Sequence, residues 1–101
     1  MPELKYIKSK DIYVDRNEQR KNKRRKFVWQ YKLDHPTCVD CNVDYPPPVL
    51  DFDHLRDKVA NISEMVKTAT PMEVLLEEIA KCEIVCSNCH RMRTYNRSKV
   101  L

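Results

Sequence analysis

The chain has 101 residues and contains no glycine. Any turn that needs a positive φ must therefore use another residue, and asparagine or aspartate is the usual substitute. We single out Asn42, directly after Cys41, as a candidate for such a turn. Long apolar runs are also missing, which argues against a transmembrane helix. The first residues, 1–5, lack the apolar stretch of a signal peptide, so we expect a cytoplasmic, reducing environment and no membrane partner.

A chain of this length forms one small domain whose apolar core is marginal, so a bound metal would help to stabilise it. Four of the five cysteines form two Cys-x-x-Cys pairs, Cys38 with Cys41 and Cys86 with Cys89. In a reducing environment such pairs indicate metal ligands before disulfides. We predict that these four thiolates hold a structural Zn²⁺ ion in a tetrahedral site. The fifth, Cys82, is predicted to be a small apolar core residue.

Positive charge is concentrated in two places, although the formal net charge is only +4. Eight basic residues lie between Arg16 and Lys32 against Glu18 alone, and more follow after Cys89. Basic clusters at both ends of a more acidic middle indicate a polyanionic partner, and we expect DNA. The alternative interpretation is a solvated helical face or a disordered arm. The predicted nucleic-acid contacts are Arg16, Arg20, Lys21, Lys23, Arg24, Arg25, Lys26, Arg91 and Arg93.

Local signals predict a mixed α+β chain. Residues 1–15 are interpreted as an N-terminal arm and residues 16–101 as the folded domain, which begins with a basic helix over 16–35 and continues in a core over 37–97. The basic helix is expected to start at Asp15 or Asn17 and to end before Pro36, with an apolar stripe at Phe27, Val28 and Tyr31. Trp29 and Tyr31 are expected to pack this helix onto the zinc region rather than to stack on bases.

The remaining elements are short. Two strands are predicted, at 49–53 and 83–85, with a turn of helix at 63–66 and a final basic helix over 90–97. Thr70-Pro71-Met72-Glu73 matches a helix start with Thr70 as the N-cap. This helix is predicted to run to about Lys81 and to bury Val74, Leu75 and Ile79.

Three polar residues have no evident structural role once the cysteines are assigned: Asp53, His54 and His90. Asp53 offers an oxygen to a hard divalent cation, and His54 is a plausible general base for water. His90 follows Cys89 directly, yet four cysteines already complete a tetrahedral zinc shell. This surplus of ligands points to a second metal site.

These motifs resemble the small HNH endonucleases, of the type common in bacteriophage genomes, whose core is a ββα-metal (His-Me finger) domain. The resemblance covers about residues 16–97 and rests on Cys38–Cys41, Leu50-Asp51-Phe52-Asp53-His54 and the run Cys86-Ser-Asn-Cys89-His90-Arg-Met-Arg-Thr. It implies a metal-dependent endonuclease that nicks or cuts DNA. It also implies that Asp53 and His90 bind one catalytic divalent metal, such as Mg²⁺ or Mn²⁺, and that His54 activates the attacking water.

The resemblance further implies a location in the host cytoplasm and association with phage packaging or replication proteins. One departure concerns the middle Asn of the family, because nine residues before His90 the chain has Lys81. Asn61 is the nearest candidate for its task of tying down the loop after His54. The rival interpretation is a non-catalytic zinc-binding DNA-binding module, which has no use for Asp53, His54 and His90 together.

Overall fold

The computed structural model describes the backbone of residues 2–98 and the side chains of residues 16–98. This part of the chain is a small mixed α+β fold with four α-helices and a two-stranded antiparallel sheet. Within it, no helix is both long and apolar enough to span a membrane. The elements are α1 (Pro2–Asp34), a 3-10 turn (Pro47–Val49), β1 (Leu50–His54), α2 (Ile62–Lys67), α3 (Met72–Ile79), β2 (Cys82–Cys86) and α4 (Ser87–Arg97).

Helix α1 begins at Pro2, well before the predicted start at Asp15 or Asn17, and so includes most of the segment interpreted as an arm. The side chains of that segment lie outside the described residues. The helix ends at Asp34, as expected from Pro36, because proline disfavours the helical conformation in the residue before it.

The centre of the fold is the antiparallel pair of β1 and β2, which we call the hairpin although residues 55–81, with α2 and α3, connect its two strands. Helix α4 follows β2 without a loop. The register pairs Leu50 with Cys86 and His54 with Cys82. The two strands therefore place Cys86 and His54 at opposite ends of one short ladder. Helix α4 starts at Ser87 rather than at His90, because the Cys86 side chain accepts a hydrogen bond from the Cys89 backbone N–H and so serves as the N-cap.

Two buried clusters flank this hairpin. We call the first the cysteine side: Cys38, Val85 and Cys86, with Tyr45, Val49 and Cys89 packed against them. We call the second the helical side: Ile62, Met65, Leu75 and Ile79, with Phe27, Val28, Tyr31, Phe52, Ala60, Met72 and Cys82 packed against them.

The helical side corrects two predictions about packing. Tyr31, with Phe27 and Val28, packs against this side and not against the cysteine side, and Trp29 is half exposed. Within α3, Leu75 and Ile79 are buried as predicted, but Val74 is 41% exposed. The apolar face of α3 is therefore narrower than the sequence indicated. Cys82 packs against the same cluster, as expected of a core residue.

The turns confirm one local prediction and correct another. Asn42 has a φ of 59°, so it takes the left-handed conformation that a glycine would otherwise supply. Thr70 is not the N-cap of α3. Pro71 occupies that position and its carbonyl accepts from the Val74 and Leu75 N–H groups, while the Thr70 hydroxyl bonds that of Thr68.

Candidate metal centre and histidine cleft

Four cysteine side chains converge between the turn at 38–41 and the start of α4. The Sγ atoms of Cys38, Cys41, Cys86 and Cys89 all lie within 4.8 Å of one another. In each Cys-x-x-Cys pair the second backbone N–H points at the first sulfur, at 3.5 Å for Cys38 and 3.4 Å for Cys86. The predicted four-cysteine cluster is confirmed as an arrangement that can hold a metal ion.

The pKa values of the cluster thiols are consistent with four thiolates that share a metal ion. Burial alone would raise the pKa of Cys38, but hydrogen bonds from the backbone of Cys41, Cys86 and Asp40 lower it to about 6. Close contact with Cys86, together with burial, raises the pKa of Cys89 to about 12. Thiols this close compete for protons, and a metal ion relieves that competition because it stabilises all four as thiolates. Cys82 is different, because burial raises its pKa to about 11 and keeps it a neutral thiol.

The same secondary structure carries the three surplus polar residues. Asp53 and His54 end β1, and His90 lies in the first turn of α4, whose start is fixed by Cys86. The Nε2 atom of His90 is 3.4 Å from Oδ1 of Asp53. The hairpin and α4 therefore bring Asp53 and His90 together, from positions 37 residues apart in the sequence.

His90 has a second carboxylate partner that the sequence analysis did not assign. Its Nδ1 atom is 3.1 Å from Oδ2 of Asp51, which lies on the same strand as Asp53. A proton on Nδ1, donated to Asp51, leaves the Nε2 lone pair facing Asp53. Carboxylate–histidine pairs of this kind orient metal-binding histidines in proteins.

His54 is paired with Glu78 of α3, another residue that the sequence analysis did not assign. The His54 Nε2 atom lies 3.0 Å from Oε2 of Glu78, and the Glu78 side chain is only 2% exposed. Burial alone would raise the pKa of Glu78, but Lys81 and the backbone N–H groups of Val59 and Ala60 lower it to about 2. Glu78 is therefore an ionised acceptor beside His54.

Asp53 is buried to 3% exposure and is bound by two arginines of α4. Arg97 donates to both of its carboxylate oxygens, at 2.7 and 2.6 Å, and Arg93 donates to Oδ2 at 2.7 Å. Arg97 first, and then Arg93, holds the pKa of Asp53 well below its ordinary value, although burial opposes this. The two guanidinium groups compensate the buried negative charge.

Asn61 does not hold the loop after His54 with a side-chain cap. It is the N-cap residue of α2, yet its side chain makes no capping hydrogen bond. The loop is instead bonded to α3 and the residues that follow it. The Val59 N–H donates to Glu78 at 2.8 Å, and Lys81 Nζ donates to the Asp57 carbonyl at 2.9 Å.

The predicted nucleic-acid contacts differ in how free their side chains are. Arg24 is 7% exposed and donates to the Val66 carbonyl at 3.0 Å, so it joins α1 to α2. Arg93 is committed to Asp53 and, through a bidentate pair, to Asp40. Lys21 approaches Glu18 at 4.0 Å. Exposed side chains remain at Arg16, Arg20, Lys23, Arg25, Lys26 and Arg91.

A cleft of about 930 Å³ lies between α1 and the hairpin and exposes the histidine site. Asp53, His54 and His90 all line it, together with Asn61 and the exposed face of Trp29. Its remaining charged lining is mainly basic, from Arg25, Lys32, Lys58, Lys67 and Arg97. The arrangement thus combines two carboxylate-bound histidines with a rim that can attract a polyanion.

The two missed carboxylates differ in how they could have been found. Glu78 falls between Leu75 and Ile79 on the packed stripe of α3, and a charge at such a position needs a partner. Asp51 carried only the weaker signal that it shares a strand face with Asp53.

No protein-family model matches this chain, and no match is found among curated proteins or among solved structures.

Proposed function

We propose that this protein is a metal-dependent DNA endonuclease of the HNH type, in which His54 is the general base and the four cysteines hold a structural Zn²⁺ ion. The observation that carries the proposal is the meeting of Asp53, His54 and His90 in one basic cleft, each placed by the hairpin or by the helix that follows it. A DNA-binding module that is merely stabilised by zinc does not need Asp53, His54 or His90. A reducing cytoplasm is the expected environment, since it keeps the four thiols available to the metal.

Asp53 and His90 are suited to hold one divalent cation. Ligand atoms about 2.1 Å from a cation lie about 3 to 3.4 Å apart, and the observed Oδ1 to Nε2 distance is 3.4 Å. Arg97 donates to the same oxygen of Asp53 and therefore competes with a cation for it. When bound, the ion would supply a positive charge that stabilises the phosphate as negative charge develops.

His54 supplies the proton acceptor. Glu78 accepts from Nε2, which leaves Nδ1 as the basic nitrogen of the neutral ring. His54 also lines the cleft, and its assigned role is to take through that nitrogen the proton of a water molecule beside a bound phosphodiester.

The cleft and α1 offer the charges that would hold DNA. Arg25 and Lys32 line the cleft from α1, and Lys58 and Lys67 line it from the region after β1. Contacts of this kind bind the phosphate backbone and carry little sequence information.

The test is nicking of supercoiled plasmid in a series of divalent metals, including Mg²⁺ and Mn²⁺. We expect His54→Ala to lower the rate by at least about 100-fold, because it removes the general base, while the zinc content stays unchanged. His35→Ala is the matched control, since His35 is exposed, bonds the Tyr31 carbonyl and does not line the cleft.

His90→Ala separates the two metal sites. It should abolish cleavage without releasing zinc, because the zinc shell is complete without His90. Release of zinc from His90→Ala would contradict the division into two sites. If wild type and His54→Ala are equally inert with every metal while both retain DNA in a gel shift, the protein is a DNA-binding module and not a nuclease.

A further inference from the structure

Glu78 is a buried carboxylate whose two oxygens have separate partners. Oε2 accepts from the Val59 N–H at 2.8 Å and contacts His54 Nε2 at 3.0 Å, and Oε1 accepts from Lys81 Nζ at 2.9 Å. A buried carboxylate is costly unless its oxygens are bonded. With every partner in place Glu78 is a fixed, acceptor-only group on helix α3.

This contact decides the protonation pattern of the neutral His54 ring. A carboxylate cannot donate a hydrogen bond, so the nitrogen facing it must carry the proton. The proton therefore lies on Nε2, and the lone pair is on Nδ1. The contact also restricts rotation of the ring, because Glu78 cannot move without losing its bonds to Val59 and Lys81.

The same residues fasten the loop that follows His54. Lys81 reaches the Asp57 carbonyl through Nζ, and its own carbonyl accepts from the Leu55 N–H, both at 2.9 Å. Glu78 holds the loop two residues further along, through the Val59 N–H. The loop over 55–61 is thus fastened at three places to Glu78 and Lys81.

We propose that Glu78 is the positioning residue of this site: it holds His54 in the Nε2–H form, turned so that Nδ1 is the reactive nitrogen, and with Lys81 it fixes the adjoining loop. The catalytic meaning of this role rests on the proposed nuclease function. The hydrogen bonds themselves can be tested in a protein that cleaves nothing.

The first experiment is nuclear magnetic resonance of ¹⁵N-labelled, zinc-loaded protein at a pH where His54 is neutral. Wild type should show a His54 Nε2–H proton that is shifted downfield and protected from exchange. Glu78→Met, similar in size but without an acceptor, should lose that signal and speed exchange of the Val59 amide by about tenfold or more. Glu78→Gln, which keeps one carbonyl acceptor, should restore part of the protection.

Glu77→Met is the matched control, because Glu77 is the exposed neighbour on the same helix. It should leave both signals unchanged. Unchanged spectra for Glu78→Met, or a wild-type His54 protonated on Nδ1, would overturn the proposal whether or not the protein is a nuclease.

The second experiment tests whether the orientation of His54 affects the rate of DNA cleavage. If wild type nicks plasmid, Glu78→Met should lower kcat by about 10- to 100-fold with KM for DNA unchanged, and Glu78→Gln should recover part of the loss. If Glu78→Met loses the His54 signal but keeps the kcat of the wild type, the contact does not position the base. Loss of the signal without any wild-type cleavage would refute the nuclease and leave the contact established.

Discussion

The two sides of the hairpin are stabilised by different means. The buried cluster of the cysteine side is Cys38, Val85 and Cys86, and two of these three residues belong to the four thiols that can share one metal ion. The helical side buries four larger residues, and three helices contribute to its packing. In so small a domain the first side depends on coordination and the second on apolar burial.

The candidate site draws one histidine from each side. His90 lies on α4, whose start is set by Cys86, so its position depends on the cysteine side. His54 is bonded to Glu78, which follows Leu75 by one turn of α3, so its orientation depends on the helical side. We therefore expect disruption of the cysteine side to displace His90 and disruption of the helical side to displace His54.

Loss of the metal should have the largest effect. Cys86→Ser removes a metal ligand and a buried thiol of the cysteine side, while the serine hydroxyl can still cap α4. We therefore expect the zinc content to fall from one per chain and the cooperative thermal transition to be lost, because the fold depends on the bound metal. Cys82→Ser is the control, because Cys82 lies outside the cluster and a hydroxyl can replace its contact with the Glu78 carbonyl. A zinc-free Cys86→Ser protein with a wild-type transition would contradict the dependence on coordination.

Leu75→Ala should weaken the helical side and leave the cysteine side able to bind metal. Leu75 is fully buried, so the free energy of unfolding should fall by about 2 to 5 kcal/mol while zinc stays at one per chain. Leu76→Ala, on the exposed face of the same helix, is the control and should change stability far less. Urea unfolding measures the free energy of unfolding of each variant, and metal analysis measures its zinc content. Equal effects of the two substitutions would show that α3 does not stabilise the domain through this face.

The sequence predicted the features that depend on local spacing. The four-cysteine cluster, both strands, the end of α1 and the left-handed Asn42 follow from short motifs, and the structure confirms them. The strands, the helix end and the turn are each determined by a few neighbouring residues. The two cysteine pairs lie far apart in the chain, but each has the local spacing of a metal-binding turn, and the need for four ligands predicts that the pairs meet.

The features that it did not predict depend on contacts between distant segments. Arg24 bonds a carbonyl 42 residues away, and Glu78 meets a histidine 24 residues away. The apolar stripe of α1 was recognised, but the side on which it packs was not, because periodicity identifies a buried face without identifying its partner. Asn61 was assigned by proximity in sequence, whereas Glu78 and Lys81 hold the loop from another element.

Thr70→Ala should have the smallest effect and tests whether capping adds to the apolar packing of α3. The motif predicts Thr70 as the N-cap, and loss of an N-cap threonine costs about 1 kcal/mol. In the structure Pro71 is the N-cap without a side-chain bond, and the Thr70 hydroxyl bonds the Thr68 hydroxyl. We therefore expect urea unfolding to show a change below about 0.5 kcal/mol, as for an ordinary surface substitution. A loss of about 1 kcal/mol or more would mean that Thr70 caps α3 in solution, and that the helical side depends on its helix end as well as on the burial of Leu75.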